Sequence, residues 1–142
     1  MPFISITRLR VRSWWFFPAF IVDAIRSARQ ARTADGNLGV KLLKDVHNTW
    51  WTCSAWDSEA SMRKFMLARP HGPAMRKLLN WCDEAALVHW AQETPELPSW
   101  AEAHRRMQHE GRISKVNHPS PAHTAFTILA PVIRPGSDVP FK

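Results

Sequence analysis

The chain has 142 residues, 45% of them apolar and 22% charged, which is enough for one domain with a real core and ordinary for a globular protein. No internal repeat, low-complexity tract or coiled-coil heptad is present, and Cys53 and Cys82 are too few for a disulfide framework and form no CxxC pair. A net charge of +7 favours acidic or anionic neighbours without dictating a fold, and the cysteine usage gives a reducing cytoplasm as the expected location.

Phe3 to Ser13 alternates as a strand, with Ser5, Thr7, Leu9 and Val11 on one side and Ile4, Ile6, Arg8, Arg10 and Arg12 on the other. The apolar run from Trp14 to Val22 imitates a signal peptide behind those arginines. It is only nine residues long, contains Pro18 and is closed by Asp23, whereas a spanning helix needs about 20 residues. No membrane insertion is expected, and the alternative is an interfacial anchor rich in Trp and Arg. The run instead opens a helix. Pro18 suits a first turn, Phe17, Phe20, Ile21, Ala24, Ile25, Ala28 and Ala31 recur at helical spacing, and Arg26, Arg29 and Arg32 take the wetter side.

Asp35, Gly36 and Asn37 stop that helix by turn chemistry, and Leu38 to Val46 supplies a second strand. A short turn around Asp45 to Asn48 would pair it in a hairpin with a third, His47 to Trp56. Asp57, Ser58 and Glu59 cap a second helix carrying Met62, Phe65 and Met66, which Pro70 and Pro73 interrupt. A helical turn or two with Met75, Leu78 and Leu79 leads to a fourth strand, Glu84 to Gln92. Ser99 and Glu102 form a capping box for a last helix that Gly111 ends. From Arg112 onward, prolines 119, 121, 131, 135 and 140 scatter through a segment with little period. Two parts are therefore expected, residues 1–111 as the folded domain and 112–142 as an extended C-terminal arm. Within the arm, Ala125 to Val132 is apolar enough to dock as a strand, on this chain or a partner.

The order β-α-β-β-α-β is the split βαβ of the ferredoxin-like α+β fold, with the first and third strands central and both long helices on one face. The opposite face would be left apolar, and a homodimer is the expected way to cover it.

Trp56 at the end of the third strand, Phe65 on the next helix, His71 after the helix break, Trp81, the entry Leu97, Pro98, Ser99 into a helix with Glu102, Ala103, Arg106 and Met107, and the stretch from Pro121 to Phe126 together resemble a DUF3291-type protein. More broadly, the chain resembles the dimeric α+β barrel superfamily that includes antibiotic-biosynthesis monooxygenases. The resemblance spans residues 3 to 126 and implies a fold more than an activity. It implies that Trp56 lines a cavity. Cofactor-independent quinone-forming members carry an asparagine at the place of Thr52 and a tyrosine nearby, and this chain has no tyrosine. Haem-degrading members carry an asparagine on the first strand, where Ser5 and Thr7 stand here, and a haem-ligating histidine closer to the tryptophan than His71. Neither mechanism transfers residue for residue.

Strand parity puts Asn48, Trp50, Thr52 and Trp56 on one candidate wall and sends Trp51 and Cys53 to the other side. His71, between the helix-breaking prolines, is the expected proton-handling group. Its neighbour in the pattern, His89, is expected to be structural. Three guanidinium groups on a central strand need partners, so Arg8 or Arg10 is expected to reach into the cavity and meet a carboxylate or an anionic ligand. The expected site is thus His71, Trp56 and Arg10 as catalytic residues, with Arg8, Asn48, Trp50, Thr52 and Phe65 binding the ligand. No HExxH, zinc spacing, phosphate loop or Gly-x-Ser-x-Gly is present, no metal is expected, and no nucleic-acid motif accompanies the tryptophans. The leading expectation is a cofactor-independent monooxygenase-like enzyme for a hydrophobic, optionally anionic, small molecule. The alternative is a non-catalytic ligand-binding or haem-binding protein of the same fold, with His71 or His89 as axial ligand.

Overall fold

Residues 1–68 and 77–141 are described by a computed structural model. The alternation of the first strand is realised as β1 (Phe3–Val11), followed by a short 3-10 turn (Trp14–Phe16) and α1 (Phe17–Thr33) with Pro18 in its first turn. Then come β2 (Asn37–Lys44), β3 (Thr49–Trp56), α2 (Glu59–Leu67), a helical stretch at 77–81 and β4 (Cys82–Ala91). The chain continues through α3 (Trp100–Glu110), β5 (Arg112–Ile113), α4 (Pro121–Ala125) and β6 (Asp138–Pro140). The strands form one antiparallel sheet in the order β5-β4-β1-β3-β2-β6, so β1 and β3 are central as the topology required.

Polar side chains set the element ends. Ser58 Oγ accepts from Ser61 N at 3.2 Å and Ser99 Oγ from Glu102 N at 3.1 Å, each satisfying an orphan N–H of a first helical turn. Only half of the expected capping box forms, because the Glu102 carboxylate is taken by Arg105 and Arg106. Gly111 ends α3 for want of room, since a Cβ there would run into the Met107 carbonyl. The hairpin turn claims two residues expected in β3. His47 and Asn48 adopt φ of 59° and 58°, the left-handed pair a two-residue hairpin turn needs, so β3 begins at Thr49.

The sheet has two differently filled faces. On one, Ile4, Ile6, Trp51, Cys53, Ala55, Ala86 and Val88 pack against Trp100, Ala103 and Met107 of α3 and against Ile128. Trp51 is fully buried and its Nε1–H donates to Asp45 Oδ2 at 3.1 Å, so this large ring costs no unpaired donor. On the other face, α1 and α2 close over β1, β3 and β4. Cys53 and Cys82 are free thiols, and burial pushes both up to about 12, far from reactive thiolates.

Residues 112–141, expected as an extended arm, serve both faces: Ser114, Lys115 and Val116 line the cavity on the α1 side, and the stretch around Ile128 packs on the α3 side. β5 extends the sheet beside β4 and β6 extends it beside β2. Between them the segment expected as a strand ends α4 at Ala125 and is irregular from Phe126 to Val132, pinned where Ile128 N donates to Gln108 Oε1 at 2.9 Å, His104 Nε2 to Ile128 O at 2.7 Å and Val132 N to Asp45 Oδ1 at 2.9 Å. The apolar face on which the homodimer expectation rested is therefore covered by the same chain.

Candidate functional site

Sheet register builds the site in rows. β4, β1 and β3 pair so that His89, Ser5 and Ser54 lie side by side, with Val40 of β2 next to Ser54. The next row is Leu87, Thr7, Thr52 and Leu42, and the one beyond it holds Ala85, Leu9 and Trp50. All these side chains share one face by the strand period of two. The two polar rows are thus bracketed by Trp50 at one end and Trp56 at the other.

Over this floor lies a cavity of about 300 Å³, roofed by Phe20, Ala24, Ala28 and Ala31 of α1 and by Met62, Phe65 and Met66 of α2. Trp56 is fully buried, its ring stacks on Phe65 at 5.1 Å and its Nε1–H donates to Ser54 Oγ at 2.9 Å. Trp50 packs against Phe17 and Phe20, each at 5.9 Å, and its buried Nε1–H has no partner among the described residues. Asp23, on the cavity side of α1, is tied to Lys77 Nζ at 3.2 Å. A mostly apolar, aromatic-walled cavity with a few hydroxyls and charged groups, here Asp23 and Lys115, is the usual build of a small-molecule pocket, and this volume falls at the lower end of the range, roughly 300–1,000 Å³.

His89 is the histidine that lines this cavity among the described residues. It is half-buried with its ring 5.7 Å from Phe3. Burial, with the positive charges of Arg112 and Arg63 adding to it and Glu59 opposing, holds the imidazole below its ordinary value of 6.5. A neutral ring in a half-dry wall accepts a proton without first having to lose one. The sequence analysis expected His89 to be structural, and the register of β4 against β1 is what sets it beside Ser5 on the cavity face.

Trp50, Thr52, Trp56 and Phe65 line the cavity together, as strand parity and helix position suggested. Asn48 does not join them, because it is spent in the hairpin turn, where its carbonyl accepts from Val11 N at 3.0 Å. His71 lies outside the described residues.

Arg8 and Arg10 are corrected in place and kept in chemistry. Both project to the opposite face of β1, where Arg8 is 4% exposed and its Nη1 meets Glu84 Oε1 at 2.7 Å. Arg10 Nη1 reaches Glu84 Oε2 at 3.2 Å and Asp83 Oδ2 at 3.3 Å. They do find carboxylates, but beneath the C-terminal segment and away from the cavity. Ser120 Oγ donates to Glu84 Oε2 at 2.9 Å, and Ala85 N donates to His123 Nδ1 at 3.3 Å. Burial pushes Glu84 up, yet the hydrogen bonds from Arg8, Ser120 and Arg10 outweigh it and hold the carboxyl below its ordinary 4.5. Asp83 is raised, by burial first and the Glu84 charge besides, with Arg10 opposing.

Among the described residues no cluster of three or more His, Cys, Asp or Glu could hold a metal ion, and no helix is long and apolar enough to cross a membrane.

No curated protein matches the chain. Solved structures do, at the level of fold. SnoaB, a cofactor-independent oxygenase from Streptomyces nogalater, superposes with a TM-score of 0.55 at 16% identity, over 67% of this chain and 98% of its own. Rv0793 from Mycobacterium tuberculosis gives 0.60 at 12% identity over 66% and 97%. A protein described as an antibiotic biosynthesis monooxygenase gives 0.58 at 8% over 65% and 99%. These identities speak for the ferredoxin-like α+β architecture alone. The family described as Domain of unknown function (DUF3291) matches residues 17–139, from the start of α1 through β6. With the match spanning both the cavity roof and the C-terminal segment, the chain belongs to the DUF3291 family.

Proposed function

We propose that the cavity between α1, α2 and the sheet binds a hydrophobic small molecule with an acidic C–H, and that the protein oxygenates it without a cofactor. The observation that carries this reading is the pairing of an aromatic box with one half-buried neutral imidazole, His89, in a row with the hydroxyls of Ser5 and Ser54. SnoaB, a cofactor-independent oxygenase on a similar fold, supports the reaction class by analogy.

In the proposed reaction His89 removes a proton from a CH₂ group flanked by carbonyl or aryl carbons. The carbanion gives its electrons to O₂ and a C–O bond forms. The peroxide takes up the proton, the second C–H proton leaves, and O–O cleavage releases water and a carbonyl product. One O₂ is consumed for each substrate, two C–H bonds are lost and one water forms. Trp56 and Phe65 shape the pocket, and the Trp50 indole N–H, the Thr7 and Thr52 hydroxyls and the Lys115 ammonium are among the donors lining it for an enolate oxygen. His89 takes the role first expected of His71, and Arg10 has none in it.

Oxygen uptake with anthrone as probe, in the presence of chelator, tests this. Uptake above the spontaneous rate is expected, with an acid limb below pH 6.5 because the imidazole is held below that ordinary value. His89→Gln should lower the rate by about 10²-fold or more. A rate and pH profile unchanged in that variant would remove His89 from the mechanism. Haem titration separates the alternative: no Soret shift is expected, and a shift lost in His89→Gln would favour axial ligation.

A further inference from the structure

Trp14 and Trp15 are 71% and 73% exposed, with ring centroids 4.8 Å apart, on the 3-10 turn that leads into α1. Single exposed apolar residues are commonplace, but two adjacent tryptophans this open are not scattered surface. The helix they lead into carries an exposed strip of its own. Pro18, Val22, Ile25 and Arg29 are all exposed and recur at i, i+4, i+7 and i+11, one outward face of α1. Arg26 and Arg32 flank that face. None of these three arginines has a carboxylate partner among the described residues. The one acid between residues 12 and 34 is Asp23, which turns toward the cavity and is taken by Lys77. Arg12 adds charge at the tryptophan end, its guanidinium 4.7 Å over Phe16 and its Nε donating to Asn80 O at 2.6 Å.

We infer that the Trp14–Trp15 pair and the outward strip of α1 dock the protein on an anionic lipid surface, with the helix lying flat in the interface. Tryptophan is suited to the boundary between headgroups and acyl chains, and an aliphatic strip between arginines is the build of an interfacial helix. Charge complementarity selects the occupant. A second copy pairing through this face about a two-fold axis would bring only the same residues to it, so Arg26, Arg29 and Arg32 would meet no acid, whereas an anionic surface supplies the missing charge. Single-stranded nucleic acid would gain from the two indoles, but Pro18, Val22 and Ile25 offer its bases and phosphates nothing. The inner side of the same helix, Phe20, Ala24 and Ala28, walls the cavity, so a lipid-soluble ligand would meet the protein beside its pocket. The docking does not depend on what reaction the cavity performs.

Flotation of the purified full chain with vesicles tests it, using phosphatidylcholine alone and phosphatidylcholine mixed with phosphatidylglycerol. Binding to the mixed vesicles is expected, weakened by salt, with brominated lipid quenching the wild-type tryptophan fluorescence. Trp14→Ser combined with Trp15→Ser should abolish both signals, with the far-UV circular dichroism of the wild type. Arg26→Gln, Arg29→Gln and Arg32→Gln should weaken binding about fivefold each, while Arg134→Gln, the same charge removed elsewhere, should leave it nearly intact. Absence of wild-type flotation, flotation indifferent to the double Trp substitution, or an equal loss in Arg134→Gln would each overturn the inference. So would a dimer, or capture of a single-stranded RNA oligonucleotide, that the double substitution abolishes while vesicle binding persists.

Discussion

Trp50 carries a buried indole N–H that no described residue accepts, and an unmade hydrogen bond of that kind costs about 1–3 kcal/mol. Under the proposed function, this donor in the cavity wall is one offered to a ligand carbonyl. Trp50→Phe should weaken binding of a ketone-bearing ligand about fivefold to tenfold and leave its carbonyl-free hydrocarbon analogue nearly unaffected. Equal losses for the two ligands, measured by isothermal titration calorimetry, would assign Trp50 to shape alone. At this scale the sequence was legible where one strand's parity sufficed, which placed Trp50, Thr52 and Trp56 together and Trp51 opposite. It was illegible where pairing decides. Neither the turn that removes Asn48 nor the neighbours that bring His89 beside Ser5 is written in the local pattern. The arginines had been set on the face of Ile4 and Ile6, but nothing local said that this face lies away from the cavity.

At the scale of elements, β1 and β4 are joined by more than their ladder. Arg8 and Glu84 bury a charge pair at 2.7 Å under the segment that carries Ser120 and His123. Breaking a buried pair by removing one partner leaves the other charge uncompensated, so Glu84→Gln should cost about 3–5 kcal/mol in denaturant unfolding. Because Glu84 is held below 4.5 in the folded chain, its contribution is present above that value and lost as pH falls through the lower folded one. The raised Asp83 works in the opposite sense, gaining protons in the folded state first. The variant should therefore show a flatter stability curve below pH 4.5 than the wild type, and an unchanged acid limb would show that the pair does not govern it. Helix starts were readable, since Ser58 and Ser99 cap by local chemistry alone. The edge strands were not, because two residues in β5 and three in β6 are too few to display any period.

For the whole molecule, the C-terminal third turns a bare ferredoxin-like sheet into one covered on both faces. The superposed structures match about two thirds of this chain while almost their full lengths are used, so the remaining third is added to the shared architecture. α3, β5, α4 and β6 follow the βαββαβ order in the chain, and Trp100, Ala103, Met107 and Ile128 fill the face that had implied a second copy. Deleting residues 112–142 should strip both edge strands and Ile128, and thermal unfolding should lose cooperativity, with concentration-dependent self-association replacing a single species. A deletion that still unfolds sharply at the wild-type temperature would return those residues to the status of an arm. With that face covered, the proposed ligand site is the cavity on the α1–α2 side. Calorimetric titration with anthraquinone, an inert tricyclic ketone, measures that most directly. Binding is expected in the wild type, lost in Ala24→Phe, which fills the roof of the cavity, and kept in Arg10→Ala, which lies on the other face. Binding that survives Ala24→Phe or vanishes in Arg10→Ala would contradict the account.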